Sequence, residues 1–151
     1  MATKASDTSL ADTASHLRNA IVRTARRLRQ EGAEETGGMT ATAVSALATI
    51  NRSGPLTPSE IADIERVKRP SMTRTLGCLE REGLIERTPD PTDGRSFLVA
   101  VNEAGRERMA RLRRRKNAYL ARRLRDLDPE EVETLARAAE LLERMREDEQ
   151  G

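Results

Sequence analysis

The 151-residue chain is poor in the residue types on which several classes of protein depend. Its one cysteine, Cys78, cannot form a disulfide within the chain, which indicates a reducing compartment. Its one histidine, His16, has no second histidine or spaced cysteine to complete a metal-binding motif, so we expect neither a metal nor a cofactor. No catalytic constellation is recognisable either. We therefore expect that the protein is not an enzyme.

Aromatic residues and long apolar runs are also scarce. The aromatic residues are Phe97 and Tyr119, so the core must be built from Leu, Ile, Val, Ala and Met. No apolar run approaches the ~18 residues that a membrane span needs. Residues 1–8 lack the apolar segment of a signal peptide, and we expect them to form a disordered tail. These absences predict a cytoplasmic protein that does not enter the membrane, with a lean core that a second copy often completes.

Charge is abundant and almost balanced, with 27 basic and 25 acidic residues and a formal net charge of +2. The basic residues are concentrated between Arg106 and Arg125, and the acidic ones between Asp126 and Glu149. Segments of one sign favour an anionic partner such as nucleic acid. The alternative is a pair of solvated helices whose arginines and glutamates form surface ion pairs. The sequence leaves both interpretations open.

Two helix starts lie close together in the middle of the chain. Thr57 can cap a helix, Pro58 suits its first position, and Glu60 can close a capping box. We expect this short helix to turn its apolar residues inward; these are Ile61, Ala62 and Ile64. After a polar turn at residues 65–69, a second helix is predicted from Pro70 to Glu82, with Gly83 as its left-handed cap.

The second helix has two distinct faces, and a hairpin is predicted after it. Its apolar residues recur with helical spacing and are Met72, Leu76 and Leu79, while the opposite face carries Ser71, Arg74, Thr75 and Cys78. A strand is expected at residues 84–87 and a turn at residues 90–95, which read Asp-Pro-Thr-Asp-Gly-Arg. A returning strand is indicated by the alternation of Phe97, Val99 and Val101.

A short helix that braces a second one, followed by a hairpin, suits recognition of double-stranded DNA. We predict that Ser71 and Arg74 read bases and that Lys68, Arg69 and Arg95 grip phosphate or the minor groove, with Thr75 a further candidate at the flank. Asp93 is expected to orient Arg95 or to close the turn. The alternative is an ordinary polar helix start beside an ordinary surface loop.

Helices are also predicted on both sides of this region. Each follows a residue that can cap its first turn; these caps are Ser9, Thr40, Asn102 and Asp128. A loop is expected at residues 32–38, a break at residues 51–55, and an end near residue 127 for the helix after Asn102. The first and last helices each carry an apolar stripe, formed by Leu17, Ile21, Ala25 and Leu28, and by Val132, Leu135, Ala139, Leu142 and Met145.

The sequence resembles the MarR family of winged helix-turn-helix transcription regulators. The resemblance rests on Leu56-Thr57 with Glu60-Ile61-Ala62, on residues 70–74 (PSMTR), on residues 79–87 (LEREGLIER) and on the wing at residues 90–95 (DPTDGR). The chain departs from the family at Thr92, where many wings carry a second arginine. The resemblance implies a mainly α fold with a small β-hairpin wing and long terminal helices that interlock across a two-fold axis.

The resemblance also implies a division of the chain. Residues 1–8 would be the tail, 9–38 a dimerisation helix and loop, 39–101 the winged helix-turn-helix, and 102–151 the C-terminal dimerisation helices. A homodimer of this kind would place two recognition helices one DNA turn apart, ~34 Å, on a palindromic operator. Family members often bind small aromatic anions, and the expected pocket residues here are His16, Ala20, Met39, Val44 and Tyr119.

The function implied is that of a homodimeric, sequence-specific regulator, expected to be a repressor that a small aromatic or phenolic anion releases. Two alternatives remain open. One is a sequence-tolerant architectural DNA-binding protein that uses the basic segment and the wing. The other is a thiol-redox-responsive regulator in which Cys78 is the sensor.

Overall fold

The computed structural model describes residues 9–147, which are mainly helical with one two-stranded antiparallel sheet. The elements are α1 (Leu10–Glu31), α2 (Ala33–Thr36), α3 (Ala41–Ser53), α4 (Pro58–Glu65), α5 (Arg69–Arg81), β1 (Ile85–Pro89), β2 (Phe97–Val101), α6 (Glu103–Leu124) and α7 (Pro129–Glu147). The predicted fold class is confirmed. The tail predicted for residues 1–8 lies outside the described residues. The described residues divide into two compact units between residues 116 and 117, so that α6 contributes to both.

The predicted helix starts are confirmed by their hydrogen bonds. Each cap accepts the backbone N–H of the residue three positions later; the caps are Ser9, Thr40, Thr57, Asn102 and Asp128. The predicted capping box of α4 is complete, since the Glu60 carboxylate also accepts the Thr57 backbone N–H at 2.7 Å. A cap of this kind contributes about 1 kcal/mol. Local sequence alone therefore determines where these helices begin.

Several predicted boundaries are wrong by a few residues. The expected loop at residues 32–38 contains the short helix α2, which ion pairs with α6 hold in place. The break is expected to begin at Asn51, but α3 continues to Ser53. Its last turn is closed by the Gly54 N–H, which donates to the Ile50 carbonyl at 2.8 Å. Helix α5 begins at Arg69 instead of Pro70, with Lys68 as its N-cap. Helix α6 ends at Leu124, and tight turns occupy residues 125–127.

The core of the first unit lies between α3, α4, α5 and the hairpin. Its largest fully buried side chains are Leu47, Ile50, Ile61, Met72, Leu76, Leu79, Leu84 and Val99. The prediction that Ile64 points inward is wrong, because this side chain is 50% exposed. Ile64 follows the buried Ala62 by two positions, about 200° around a helix, so the short α4 does not bury both.

Apolar side chains of the first and last helices remain exposed. Neither α1 nor α7 has a buried residue within its own unit. Their predicted apolar stripes are therefore open: Ile21 is 43% exposed on α1, and Leu135 and Met145 are 50% and 60% exposed on α7. None of the helices found in residues 9–147 is long and apolar enough to cross a bilayer.

Candidate nucleic-acid interface

Helix α5 is anchored on one face and open on the other. Met72, Leu76 and Leu79 are fully buried, which fixes the helix on the core. On the opposite side, Arg74 is exposed, as are Lys68 and Arg69 at the helix start. None of these three cations has an acidic partner in the part of the chain that the structure describes. Unpaired cations beside the positive end of a helix form a surface suited to phosphate.

Ser71 and Thr75 lie one turn apart on α5 and are both half-buried. The Thr75 hydroxyl donates to the Ser71 carbonyl at 3.0 Å. Its donor is therefore used inside the helix, and its oxygen remains able to accept. The predicted readers Ser71 and Arg74 and the flanking Thr75 are brought together on this helix, next to Lys68 and Arg69.

The turn before α5 contains a basic residue that the sequence reasoning missed. Arg66 caps the C-terminus of α4 in the left-handed conformation, with φ +54°, and its side chain is exposed. Its backbone N–H donates to the Asp63 carbonyl at 3.2 Å, which holds this turn. A non-glycine residue in this conformation costs roughly 1 kcal/mol. The sequence could have indicated Arg66 as a candidate for DNA contact, because it is a third cation close to Lys68 and Arg69.

The wing is an antiparallel hairpin with a closed tip. The Asp90 carboxylate accepts the backbone N–H and the hydroxyl of Thr92, at 2.9 and 2.8 Å. Both hydrogen bonds lower the pKa of Asp90, and the one from the Thr92 backbone has the larger effect. The Asp93 carboxylate accepts the Arg95 backbone N–H at 3.0 Å, so Asp93 closes the turn and leaves the Arg95 side chain exposed. Thr92, the departure from the family pattern, is thus part of the tip closure.

Comparison with known proteins places this arrangement in a family. A family model described as "MarR family" matches residues 39–97, from the residue before the α3 cap to the start of β2. An HTH-type transcriptional regulator of Mycobacterium bovis is 39% identical over 129 residues, which cover 85% of this chain and 89% of that protein. The chain belongs to the MarR family. It is accordingly a DNA-binding transcription regulator, and the prediction that it is not an enzyme is confirmed.

Solved structures show the same MarR-type fold. A transcriptional regulator of Pseudomonas aeruginosa superposes with a TM-score of 0.81 at 33% identity, covering 90% of this chain and 94% of the other. FabT of Streptococcus pneumoniae, solved in complex with DNA, superposes with a TM-score of 0.66 at 21% identity, covering 88% of this chain and 98% of the other. The second likeness is one of fold alone.

The first unit of this MarR-family chain also contains a cavity of about 540 Å³. Met39 and Val44, two of the predicted pocket residues, are among those that line it. His16 and Ala20, on α1 of the same unit, are not among the lining residues, and Tyr119 belongs to the second unit. His16 lies thirteen residues before the lining residue Arg29 on α1, about 20 Å along a helix. The remaining walls are formed by Ala33, Thr36, Ala41, Ser45, Ala48, Met109, Leu112 and Lys116.

One wall of this cavity is fixed by ion pairs. Glu35 on α2 accepts from Arg111 and from Arg115 on α6, each at 3.1 Å, and Arg115 also lies 2.9 Å from Glu34. The hydrogen bond from Arg111 is the main cause that lowers the pKa of Glu35. Two arginines of the basic segment are therefore engaged in surface ion pairs with α2. Their contact holds the neighbouring lining residues Ala33 and Thr36 in place.

Cys78, the candidate redox residue, is half-buried on α5. As the chain's single cysteine it has no thiol partner in the same protomer. Within residues 9–147 there is no group of three His, Cys, Asp or Glu side chains arranged to hold a metal ion.

Proposed function

We propose that the chain acts as a homodimeric repressor that occupies a palindromic operator. The observation that carries this proposal is the open apolar face on each of α1 and α7. Contiguous exposed apolar surface of this kind is typical of an interface. A second copy of the chain is the simplest partner to bury these apolar faces, because MarR-family regulators function as dimers. Bound across a promoter, such a dimer would block transcription by occupying the site.

The charges of the two terminal helices support pairing between protomers. Helix α1 carries five arginines and two acidic residues, whereas α7 carries six glutamates and three arginines. Their side-chain charges, with His16 neutral, are therefore +3 and −3 (5 − 2 and 3 − 6). Opposite charge around two open apolar stripes favours α1 of one protomer against α7 of its partner.

Residue roles follow from the position of α5 and the wing. Arg74 and Ser71 would read base edges in the major groove, while Lys68 and Arg69 hold phosphates. Thr75 lies at the flank of this surface, and Arg95 would enter the minor groove from the closed wing tip, which Asp93 supports. Arg66 adds a phosphate contact from the preceding turn. FabT, which has the same fold, is solved in complex with DNA, and this supports DNA binding by a protein of this fold.

The cavity in the first unit is the proposed site of an effector. Its lining combines the cations Arg29 and Lys116 with apolar Met109 and Leu112. A small aromatic or phenolic acid matches this chemistry, since its ring can pack on apolar side chains while its anion pairs with a cation. Release from DNA requires that the acid bind better to a protein state unable to hold the operator.

Fluorescence anisotropy with the duplex upstream of the protein's own gene tests this function. The titration is run against a scrambled duplex, at two salt concentrations, with and without salicylate. We expect tight binding to the native duplex alone, weakened by the acid. Equal, steeply salt-dependent binding to both duplexes would favour the architectural alternative.

Variants of the cavity separate the two parts of the proposal. Lys116→Gln should bind DNA as the unmodified chain does and lose its response to salicylate. Arg113→Gln is the matched control, because Arg113 is an exposed cation of the same helix that does not line the cavity. If salicylate changes specific DNA binding neither in the unmodified chain nor in any variant, the proposed effector role is contradicted. The proposal that the protein is a repressor would then still stand.

A further inference from the structure

The inner face of the wing carries one charged residue. In the hairpin register, Ile85 lies opposite Val101 and Arg87 lies opposite Val99. Ile85, Val99 and Val101 are all buried, so this is the face that packs on the core. Successive residues of a strand alternate between faces, and Arg87 therefore shares the inner face with Ile85. It takes the position where the apolar packing of β1 ends.

The Arg87 guanidinium is held from two directions. Its Nη2 lies 2.9 Å from Oε2 of Glu80 on α5, and its Cζ lies 4.3 Å from the ring centroid of Phe97 on β2. The side chain is only 34% exposed. A planar guanidinium can donate to a carboxylate and stack on an aromatic ring at the same time. One side chain thus joins α5, β1 and β2.

This three-way contact, which we call the Arg87 clamp (Arg87, Glu80 and Phe97), joins the helix and the hairpin that carry the two proposed DNA-reading groups. Glu80 is six residues after Arg74 on the same helix. Phe97 is two residues after Arg95 and opens the strand that leads away from the wing tip. A change in the clamp would consequently alter the placement of the wing tip relative to the start of α5.

We propose that Arg87 is a positioning residue for DNA binding. It fixes the angle between the wing and α5, so that Arg74 and Arg95 engage one duplex at the same time. The proposal rests on the DNA roles given above to Arg74 and Arg95. Arg87 itself does not touch DNA, because its guanidinium is committed to Glu80 and Phe97.

A double-mutant cycle between Arg87 and Arg95 tests the proposal. Binding of Arg87→Gln, Arg95→Ala and the double variant to the operator duplex is measured at two salt concentrations. We expect Arg87→Gln to weaken binding about threefold to tenfold in the unmodified chain, and to have almost no effect when Arg95 is already alanine. Arg81→Gln removes the same charge from the exposed end of α5 and should leave binding nearly unchanged in both backgrounds.

Each other result of this cycle overturns the proposal in a recognisable way. If Arg87→Gln costs the same factor in both backgrounds, Arg87 acts independently of the wing. If it reduces the slope of log affinity against log salt by about one, Arg87 contacts a phosphate itself. If Arg95→Ala has no effect, the proposed wing contact is absent, and the clamp then has nothing to position. Urea unfolding of each variant identifies any loss that is due to unfolded protein.

Glu80 provides a second test, in which the direction of the change in DNA affinity distinguishes two explanations. Removing an acidic charge near DNA should raise affinity if only long-range electrostatics matter. The clamp predicts the reverse: Glu80→Gln should lower affinity about twofold to threefold, and this loss should also disappear in the Arg95→Ala background. Glu82→Gln, at an exposed residue without an ion pair in residues 9–147, is the control and should not lower affinity. A gain of affinity in both variants would contradict the clamp.

Discussion

Replacement of Arg74 by alanine will weaken binding to the specific operator by roughly tenfold to one-hundredfold, as expected for loss of a bidentate base contact. Binding to a scrambled duplex should change by less than about threefold, because it depends mainly on phosphate contacts. Arg74 is exposed on α5, opposite the buried stripe of that helix, and has no acidic partner in the described residues. Its removal should therefore alter the free energy of unfolding by less than about 0.5 kcal/mol.

Two matched variants make this result interpretable. Lys68→Ala should weaken binding to both duplexes alike and reduce the salt slope by about one, as loss of a phosphate contact does. Arg81→Ala removes a cation from the other end of α5 and should have little effect on either duplex. Anisotropy titrations at two salt concentrations measure all three variants. If Arg74→Ala lost the same factor on specific and scrambled DNA, Arg74 would not be a base reader.

Replacement of Gly105 by alanine should destabilise the DNA-binding region by about 2–4 kcal/mol. A Cβ at this position would lie 2.2 Å from the carbonyl oxygen of Leu84, which is a backbone atom. That oxygen already accepts the Asn102 backbone N–H at 3.1 Å, and the Asn102 side-chain amide donates to the Gly83 carbonyl at 2.7 Å. The clash therefore cannot be relieved without disturbing the junction of α5, β1 and α6.

Urea unfolding followed by circular dichroism measures this loss directly. Gly94→Ala at the wing tip is the control, since an added Cβ there meets no atom within 4 Å. It should be neutral or stabilise the protein slightly through the unfolded chain. A midpoint for Gly105→Ala within the error of the unmodified protein would show that α6 can move away from Leu84, contrary to this packing.

The parts of the fold that depend on local sequence could be predicted. Thr57 with Glu60, and Asp128 with Glu131, satisfy their hydrogen bonds within four residues, so the helix starts at Pro58 and Pro129 follow from the sequence alone. The spacing of Met72, Leu76 and Leu79 likewise identified the buried face of α5. The same signals placed Arg74 on the open face and Arg95 at the tip of the wing.

The remainder depends on contacts between distant residues. Helix α2 is too short for a periodic pattern, and Glu35 is held by Arg111, 76 residues further along the chain. The cavity was only partly predicted, because the sequence does not show that α1 carries His16 away from Met39 and Val44. Arg87 was predicted only as part of a strand, and its contacts with Glu80 and Phe97 require the hairpin to be folded onto α5.

Selection of binding sites from a library of random duplexes tests the central claim most directly. If a homodimer presents two copies of α5 and the wing to DNA, the enriched sequences will be inverted repeats whose half-site centres are about 10–10.5 base pairs apart, one helical turn. Substituting either half-site should then weaken binding. Recovery of sequences with no common motif, or of single half-sites bound as tightly as the repeat, would contradict a dimeric reader of palindromic DNA.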